Sequence, residues 1–300
     1  MTLRTAGLTK RFGGLVAVDG VDFELEPDEC CSLIGPNGAG KTTFFNLLTG
    51  ALSPTEGTVE FRAGAAGGSG AGGGADGDDA GVAADDADDG WRDLTDAATH
   101  ETALAGIHRS YQISNLFPTS TVLENVRIAA QAHGDDSWKL WRNADALTDY
   151  TEEAYRILDR VGLADAADTP AQALSHGGKR NLEVAIALAG DPDVLLLDEP
   201  TSGVSTDGIE DVIAVIDDVA DDHAILLVEH NMDVVMEVSD RIAVLHQGSL
   251  IADGEPAAVR EDPAVQEAYL GGYEGGETGE TDGGESEGTP ENGGPPGGTA

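Results

Sequence analysis

Short apolar runs alternate with stretches of helical spacing along most of the chain. The apolar runs predict strands at residues 3–8, 16–25, 29–34, 57–61, 194–197, 224–228, 241–245 and 249–252. The helical spacing predicts helices at residues 41–48, through most of 122–162, and at 181–189, 207–219, 232–238 and 263–270. This alternation is typical of an α/β core with a mostly parallel sheet, and the helical stretch in the middle predicts an inserted subdomain.

Two segments break the pattern. Residues 64–90 contain ten Gly, eight Ala and seven Asp, and residues 271–300 form a Gly/Glu/Thr/Pro tail with seven acidic residues. Neither contains Lys or Arg. Because low hydrophobicity and charge of one sign cannot offset the entropy of ordering, both are predicted to be disordered. The folded part is expected to span residues 1–270, with a helical subdomain at about 122–180.

The chain is strongly acidic, with 56 Asp and Glu against 16 Lys and Arg and a formal charge of −40. Without the two atypical segments, 42 acidic residues still face the 16 basic ones. Nucleic-acid binding requires a basic surface, so a DNA- or RNA-binding role is excluded. Since salt screens like charges, the excess predicts a halophilic protein from a salt-rich cytoplasm, as in haloarchaea, and the presence of only four Lys supports this.

The two cysteines, Cys30 and Cys31, are adjacent within an apolar run and are expected to be core residues of a strand.

No apolar run of membrane-spanning length and no signal peptide is evident, so we expect a chain that does not cross a membrane by itself.

The stretch "GPNGAGKTT" follows a buried strand and opens a helix, which is the context of a phosphate-binding loop. Its glycines allow backbone N–H groups to surround a phosphate at the helix N-terminus. Lys41 is expected to reach the β- and γ-phosphates and the Thr42 hydroxyl to hold Mg²⁺. The predicted nucleotide-binding residues of this loop are Gly35, Pro36, Asn37, Gly38, Ala39, Gly40, Lys41, Thr42 and Thr43.

Two acids end the strand in "VLLLDEP". Asp198 is expected to hold Mg²⁺ through water, and Glu199 to polarise the attacking water as general base. The plainer interpretation is an acidic pair that merely ends a strand at the surface, which the nearby phosphate-binding loop disfavours.

Three further positions are less informative by themselves. His230 follows another strand, where histidine is usually a structural hydrogen-bonding group, but ligands bind at this edge of such sheets, which favours a γ-phosphate contact. Gln112 is a polar residue among apolar neighbours. Phe12 could stack on a base or belong to the core. The residues alone thus indicate a Mg-dependent P-loop NTPase.

The chain resembles the ATP-binding subunits of ABC transporters over residues 2–271, apart from the insertion. The resemblance depends on Phe12, "GPNGAGKTT", Gln112, "LSHGGKR", "VLLLDEP" and His230, in that order. It implies a P-loop NTPase core of the α/β class with a mostly parallel sheet, an antiparallel β subdomain and an inserted helical subdomain. Within the family the chain is most similar to branched-chain amino-acid importer ATPases, through "KRFGGLVAVDGVDFEL", "LFPTSTVLENV", "LSHG" and "DPAVQEAYLG". The urea and short-chain amide branch is close to it.

The resemblance also implies roles and partners. Phe12 would stack on adenine, and Gln112 would sense Mg²⁺ and contact the membrane subunit. Two copies, or this chain and a second ATP-binding subunit, would enclose two ATPs head to tail. The pair would lie at the cytoplasmic face of the membrane under two permease subunits, which would serve an extracytoplasmic solute-binding protein. The loop that would reach the partner's γ-phosphate contains Leu174, Ser175, His176, Gly177 and Gly178.

The sequence departs from the family at two positions: His176 stands where glycine is more usual, and Ser205 where aspartate is frequent. We interpret His176 as tuning the loop or marking the subfamily, without transferring protons. The alternative functions are a urea or amide importer ATPase, an exporter ATPase, a soluble non-transport ABC ATPase and a regulatory subunit without turnover. Intact Lys41, Asp198, Glu199 and His230 disfavour the last of these.

Overall fold

A computed structural model of the chain describes residues 2–63, 90–110, 116–133 and 144–270. Two sheets organise these residues. Of the segments predicted to be disordered, residues 64–89 of 64–90 and all of 271–300 lie outside the described residues, as does Gln112.

The first sheet is antiparallel and is built from the start of the chain. It contains β1 (Leu3–Phe12), β2 (Leu15–Leu25), β4 (Glu56–Phe61) and the short β5 (Arg92–Asp93), in the order β2-β1-β4-β5. Alternation of buried and exposed residues along β1 and β2 leaves one face of the hairpin in water. This sheet is the antiparallel subdomain that the resemblance implied.

The second sheet has the order β10-β9-β3-β8-β7-β6 and is parallel except for the β9–β10 hairpin. Its strands are β3 (Cys30–Ile34), β6 (Ile107–Ser110), β7 (Val194–Asp198), β8 (Ala224–Val228), β9 (Arg241–His246) and β10 (Ser249–Gly254). Every residue of β3, β7 and β8 is buried, as expected for strands covered on both faces. The predicted mostly parallel core is therefore confirmed.

Helices cover this sheet and extend from it. They are α1 (Lys41–Leu48), α2 (Thr99–Ala105), α3 (Val122–His133), α4 (Ala144–Arg160), α5 (His176–Leu188), α6 (Thr206–Ala220), α7 (Met232–Val238), α8 (Pro256–Glu261) and α9 (Pro263–Leu270). One apolar core joins α3, α4, α5 and α6 to one face of the parallel sheet, and a second core joins α1 and the antiparallel sheet to its other face. None of the helices in the described ranges is long and apolar enough to cross a membrane.

Most predicted elements agree with the structure to within a few residues, and the exceptions have local causes. The elements β5, α2, β6 and α8 were not predicted. The helix predicted to begin near residue 181 begins at His176, because the Ser175 side chain accepts a hydrogen bond from the Gly178 N–H and caps the first turn. Two glycines therefore lie inside a helix, where intrinsic propensity disfavours them.

Both cysteines are buried and free, as predicted. Burial raises the pKa of the Cys30 thiol to about 12, and the neighbouring carboxylate of Asp240 adds to the shift. A protonated thiol in this position behaves as a small apolar side chain.

Trp91 follows the 64–89 segment in the chain and contacts two arginines. The guanidinium carbons of Arg4 and Arg62 lie 4.0 and 4.9 Å from the centre of its ring system. Antiparallel pairing of Phe61 with Arg92 brings the two ends of the segment together beside it. The residues that flank the Gly/Asp segment thus belong to the neighbouring strands β4 and β5.

Candidate nucleotide-hydrolysis site

The phosphate-binding loop connects β3 to α1, and its shape depends on two glycines. A Cβ at Gly35 would lie 2.0 Å from the Leu245 carbonyl oxygen, and a Cβ at Gly40 would lie 2.3 Å from the Ala17 carbonyl oxygen. Both residues have positive φ angles, 151° and 110°. Only glycine fits these two places without displacement of the backbone, so the loop packs directly on β9 and on β2.

Lys41 begins α1 and its side chain turns back over this loop. Its ammonium group donates to the carbonyl oxygens of Gly35, at 2.6 Å, and Pro36, at 3.2 Å. Burial lowers the pKa of Lys41, and the negative charges of Glu199 and Asp198 offset part of that shift. The Lys41 amine is therefore buried within reach of the charges of the two acids, and two backbone carbonyls accept its hydrogen bonds.

The remaining residues of the loop differ in their exposure. Asn37, Gly38 and Thr42 are exposed, whereas Ala39 is buried. The Ala39 carbonyl accepts from Gly248 N–H at 2.9 Å, which anchors the loop to the β9–β10 turn. Thr42 thus lies at the surface at the start of α1.

Asp198 is the last residue of β7, and its buried carboxylate pairs with Arg109. Arg109 was not among the predicted site residues. Arg109 of β6 donates from Nη2 to Asp198 Oδ2 at 2.5 Å and from Nη1 to Asn46 Oδ1 at 2.7 Å. The guanidinium also lies 5.4 Å from the centre of the Phe45 ring. The detectable signal was a basic residue in the run "IHRSYQ", which was not predicted as a strand.

Glu199 and His230 lie together, at the carboxyl ends of the adjacent strands β7 and β8. His230 Nε2 is 2.9 Å from Glu199 Oε1. Glu199 adopts a left-handed backbone conformation with φ of 51°, and its N–H donates to the Val228 carbonyl at 2.8 Å. Such a conformation costs a non-glycine residue about 1–3 kcal/mol and is concentrated at functional sites.

Residues 174–178 form the loop that leads into α5 and the first turn of that helix. Ser175 and His176 are exposed, and Leu174, Gly177 and Gly178 are half-buried. A Cβ at Gly177 would lie 3.5 Å from Val204 Cγ1, so this loop packs on the turn that follows Glu199. The Ser175 hydroxyl accepts from Gly178 and keeps its own hydrogen for a further acceptor.

Phe12 ends β1 and is 45% exposed at the tip of the antiparallel hairpin. Lys10 Nζ lies 5.3 Å from the centre of its ring. The core interpretation of Phe12 is therefore wrong, because the residue lies at the surface. The hairpin is held near the phosphate loop by the close approach of Ala17 to Gly40.

Comparisons with known proteins identify the family of this chain. The family model described as ABC transporter matches residues 18–202, and one described as branched-chain amino acid ATP-binding cassette transporter matches residues 249–275. The high-affinity branched-chain amino acid transport ATP-binding protein LivG of Salmonella typhimurium is 37% identical over 276 residues, which cover 90% of this chain and 97% of LivG. BraF of Pseudomonas aeruginosa, which has the same description, is 34% identical over 278 residues, with the same coverage.

Solved structures give the same result. An ATP-binding cassette of an ABC transporter in its ADP conformation superposes with a TM-score of 0.71 at 29% identity, covering 90% of this chain and 98% of the cassette. A nucleotide-free cassette superposes with a TM-score of 0.69 at 27% identity, covering 89% and 98%. The phosphate loop, the paired acids and the histidine lie within a chain that belongs to the ABC transporter family of ATP-binding proteins.

Proposed function

We propose that this chain is the Mg²⁺-dependent ATP-hydrolysing subunit of an ABC importer for branched-chain amino acids. The observation that carries the proposal is the 2.9 Å contact of His230 with Glu199 beside the buried Lys41. The described relatives and the match of residues 249–275 support the solute class.

The donor set fits ATP and Mg²⁺. Lys41 would exchange the carbonyls of Gly35 and Pro36 for phosphate oxygens, and the N–H groups of the loop would surround those oxygens. The Thr42 hydroxyl and the Asp198 carboxylate are hard oxygen donors, which Mg²⁺ prefers. The metal would neutralise charge on the phosphates during hydrolysis.

Glu199 and His230 would perform the proton and positioning steps. The Glu199 carboxylate would accept a proton from the attacking water, for which its exposed fraction of 25% leaves access. His230 would orient that carboxylate and, with nucleotide bound, contact the γ-phosphate. Its imidazole is about half exposed and can move between these two partners.

A complete site would need a second ATP-binding subunit. Ser175 and the N–H of Gly177 would bind the γ-phosphate held by that subunit, and α5 would add its N-terminal dipole. His176 would tune this loop without transferring protons, and Phe12 would stack on adenine. Gln112 would contact Mg²⁺ and one of two permease subunits, through which an extracytoplasmic solute-binding protein delivers the solute. The assembly would lie at the cytoplasmic face of the membrane.

Replacing Glu199 by glutamine tests the catalytic assignment. We expect ATP hydrolysis to fall by about a hundredfold or more, because glutamine cannot accept a proton. ATP-dependent dimerisation, measured by light scattering in molar KCl, should persist. The matched control is Glu210→Gln, at an exposed position on α6. Wild-type hydrolysis by Glu199→Gln would overturn the assignment.

Uptake tests the solute. A strain lacking this gene should lose uptake of radiolabelled leucine, isoleucine and valine and regain it with the wild-type gene only. Loss of urea or short-chain amide uptake instead would contradict the proposal and favour the neighbouring branch of the family.

A further inference from the structure

A buried carboxylate next to the proposed site has no role in the function described above. Glu229 is the residue immediately before His230 and is only 4% exposed. It follows β8 directly, just as Glu199 follows β7.

Four donors converge on this one carboxylate. Oε1 accepts from the Thr201 N–H at 2.8 Å and from the Thr201 hydroxyl at 2.5 Å. Oε2 accepts from the N–H groups of His230, at 2.9 Å, and Asn231, at 3.2 Å. A buried carboxylate must be satisfied in this way, and such charge-assisted bonds are stronger than neutral ones.

The four donors belong to two loops that leave adjacent strands. Thr201 lies two residues after Glu199, and His230 follows Glu229 directly. Glu229 therefore ties the backbone of the general-base loop to the backbone of the histidine loop. The 2.9 Å contact between Glu199 and His230 spans the same two loops.

The hydrogen bonds of Glu229 also connect to the loop of residues 174–178, through Thr201 and Val204. The Val204 N–H donates to the Thr201 carbonyl at 3.1 Å, and Val204 packs against Gly177. Thr201 is thus one end of a short turn whose other end contacts the start of α5.

We propose that Glu229 is a positioning residue for hydrolysis, which holds His230 in register with Glu199 through these four bonds. This inference depends on the proposed function of the Glu199–His230 pair. Glu229 has no access to ATP, because its carboxylate is enclosed by its four donors.

The test is a kinetic cycle on the full chain with ATP. Glu229→Gln keeps the size of the side chain but has one acceptor oxygen, so one of the two loops loses its anchor. We expect kcat to fall by between about tenfold and a hundredfold, whereas KM for ATP changes by less than about twofold. Thr201→Val, which removes only the hydroxyl donor, should cause a smaller loss of the same kind.

The control and the cycle separate positioning from stability. Glu29 lies directly before β3, and its half-buried carboxylate pairs with Arg241. The substitution Glu29→Gln should lower the melting temperature without changing kcat. If Glu229 acts through His230, adding Glu229→Gln to the His230→Ala variant should cause no further loss of single-turnover rate. An equal loss in both backgrounds, or a loss of stability with unchanged kcat, would overturn the proposal.

A second measurement does not depend on hydrolysis. In a proton–nitrogen spectrum of the seven histidine rings, Glu229→Gln should shift the His230 ring resonances and leave those of His100 and His223 in place. An unshifted His230 would contradict the proposal. If the wild-type chain hydrolysed no ATP, the proposed function would fail, and this spectrum would still decide whether Glu229 positions His230.

Discussion

The ion pair between Arg109 and Asp198 supports a quantitative prediction. Both side chains are almost fully buried, with exposed fractions of 8% and 10%. Arg109→Met keeps most of the apolar volume but leaves the Asp198 carboxylate without its guanidinium partner. Breaking a buried pair in this way costs about 3–5 kcal/mol of the free energy of unfolding.

The corresponding change in melting temperature follows from the size of the domain. For about 150–250 residues, each kcal/mol corresponds to about 2–4 °C, so Arg109→Met should lower the melting temperature by about 6–20 °C. Thermal unfolding followed by circular dichroism in molar KCl measures it. Adding Asp198→Asn should recover part of the loss, because a neutral amide tolerates burial better than an unpaired charge.

Arg160→Met is the matched control. Arg160 also pairs with two carboxylates, Asp218 and Asp222, but these three side chains are 32%, 49% and 57% exposed. Exposed pairs contribute about 1 kcal/mol or less, so the melting temperature should fall by no more than about 4 °C. If Arg109→Met and Arg160→Met had equal effects, or if Asp198→Asn deepened the loss, the reasoning about burial would be refuted.

Two further predictions concern salt and the phosphate loop. Dilution from about 1 M to about 0.01 M KCl lengthens the Debye length from roughly 3 to roughly 30 Å, so repulsion among the surface acids should open the fold. The buried Cys30 and Cys31 should then react with iodoacetamide, and unreactive thiols at low salt would contradict the halophilic interpretation. Gly40→Ala should abolish ATP binding in a fluorescent-nucleotide assay, because its Cβ would lie 2.3 Å from the Ala17 carbonyl oxygen. Gly254→Ala, where a Cβ meets nothing closer than 4.0 Å, is its control, and retained binding by Gly40→Ala would refute the steric argument.

The phosphate loop and the acidic pair could be predicted because local sequence determines them. A buried strand, a glycine-containing turn and a helix with Lys41 at its start specify one geometry with few alternatives. The acids follow an apolar run, which places them at the end of β7. No long-range information is needed for either.

Arg109 and Glu229 could not be predicted in the same way, because their partners are distant in sequence. Arg109 meets Asp198 only through the parallel pairing of β6 with β7, and nothing in the run "IHRSYQ" specifies that neighbour. Glu229 meets Thr201 through the pairing of β7 with β8. The early start of α5 has a local cause: the Ser175 cap stabilises a first turn that contains two glycines of low helix propensity.

The pairing of Phe61 with Arg92 affects how long an insertion this chain can tolerate between them. Because Phe61 and Arg92 are held as neighbours, any flexible insertion between them would close a loop whose entropic cost grows only with the logarithm of its length. Doubling the number of residues there would cost about 0.6 kcal/mol, less than a single buried hydrogen bond to a charged group. The length of an insertion between these two residues is therefore nearly neutral for folding, and this point of the sheet is suited to carry an added domain.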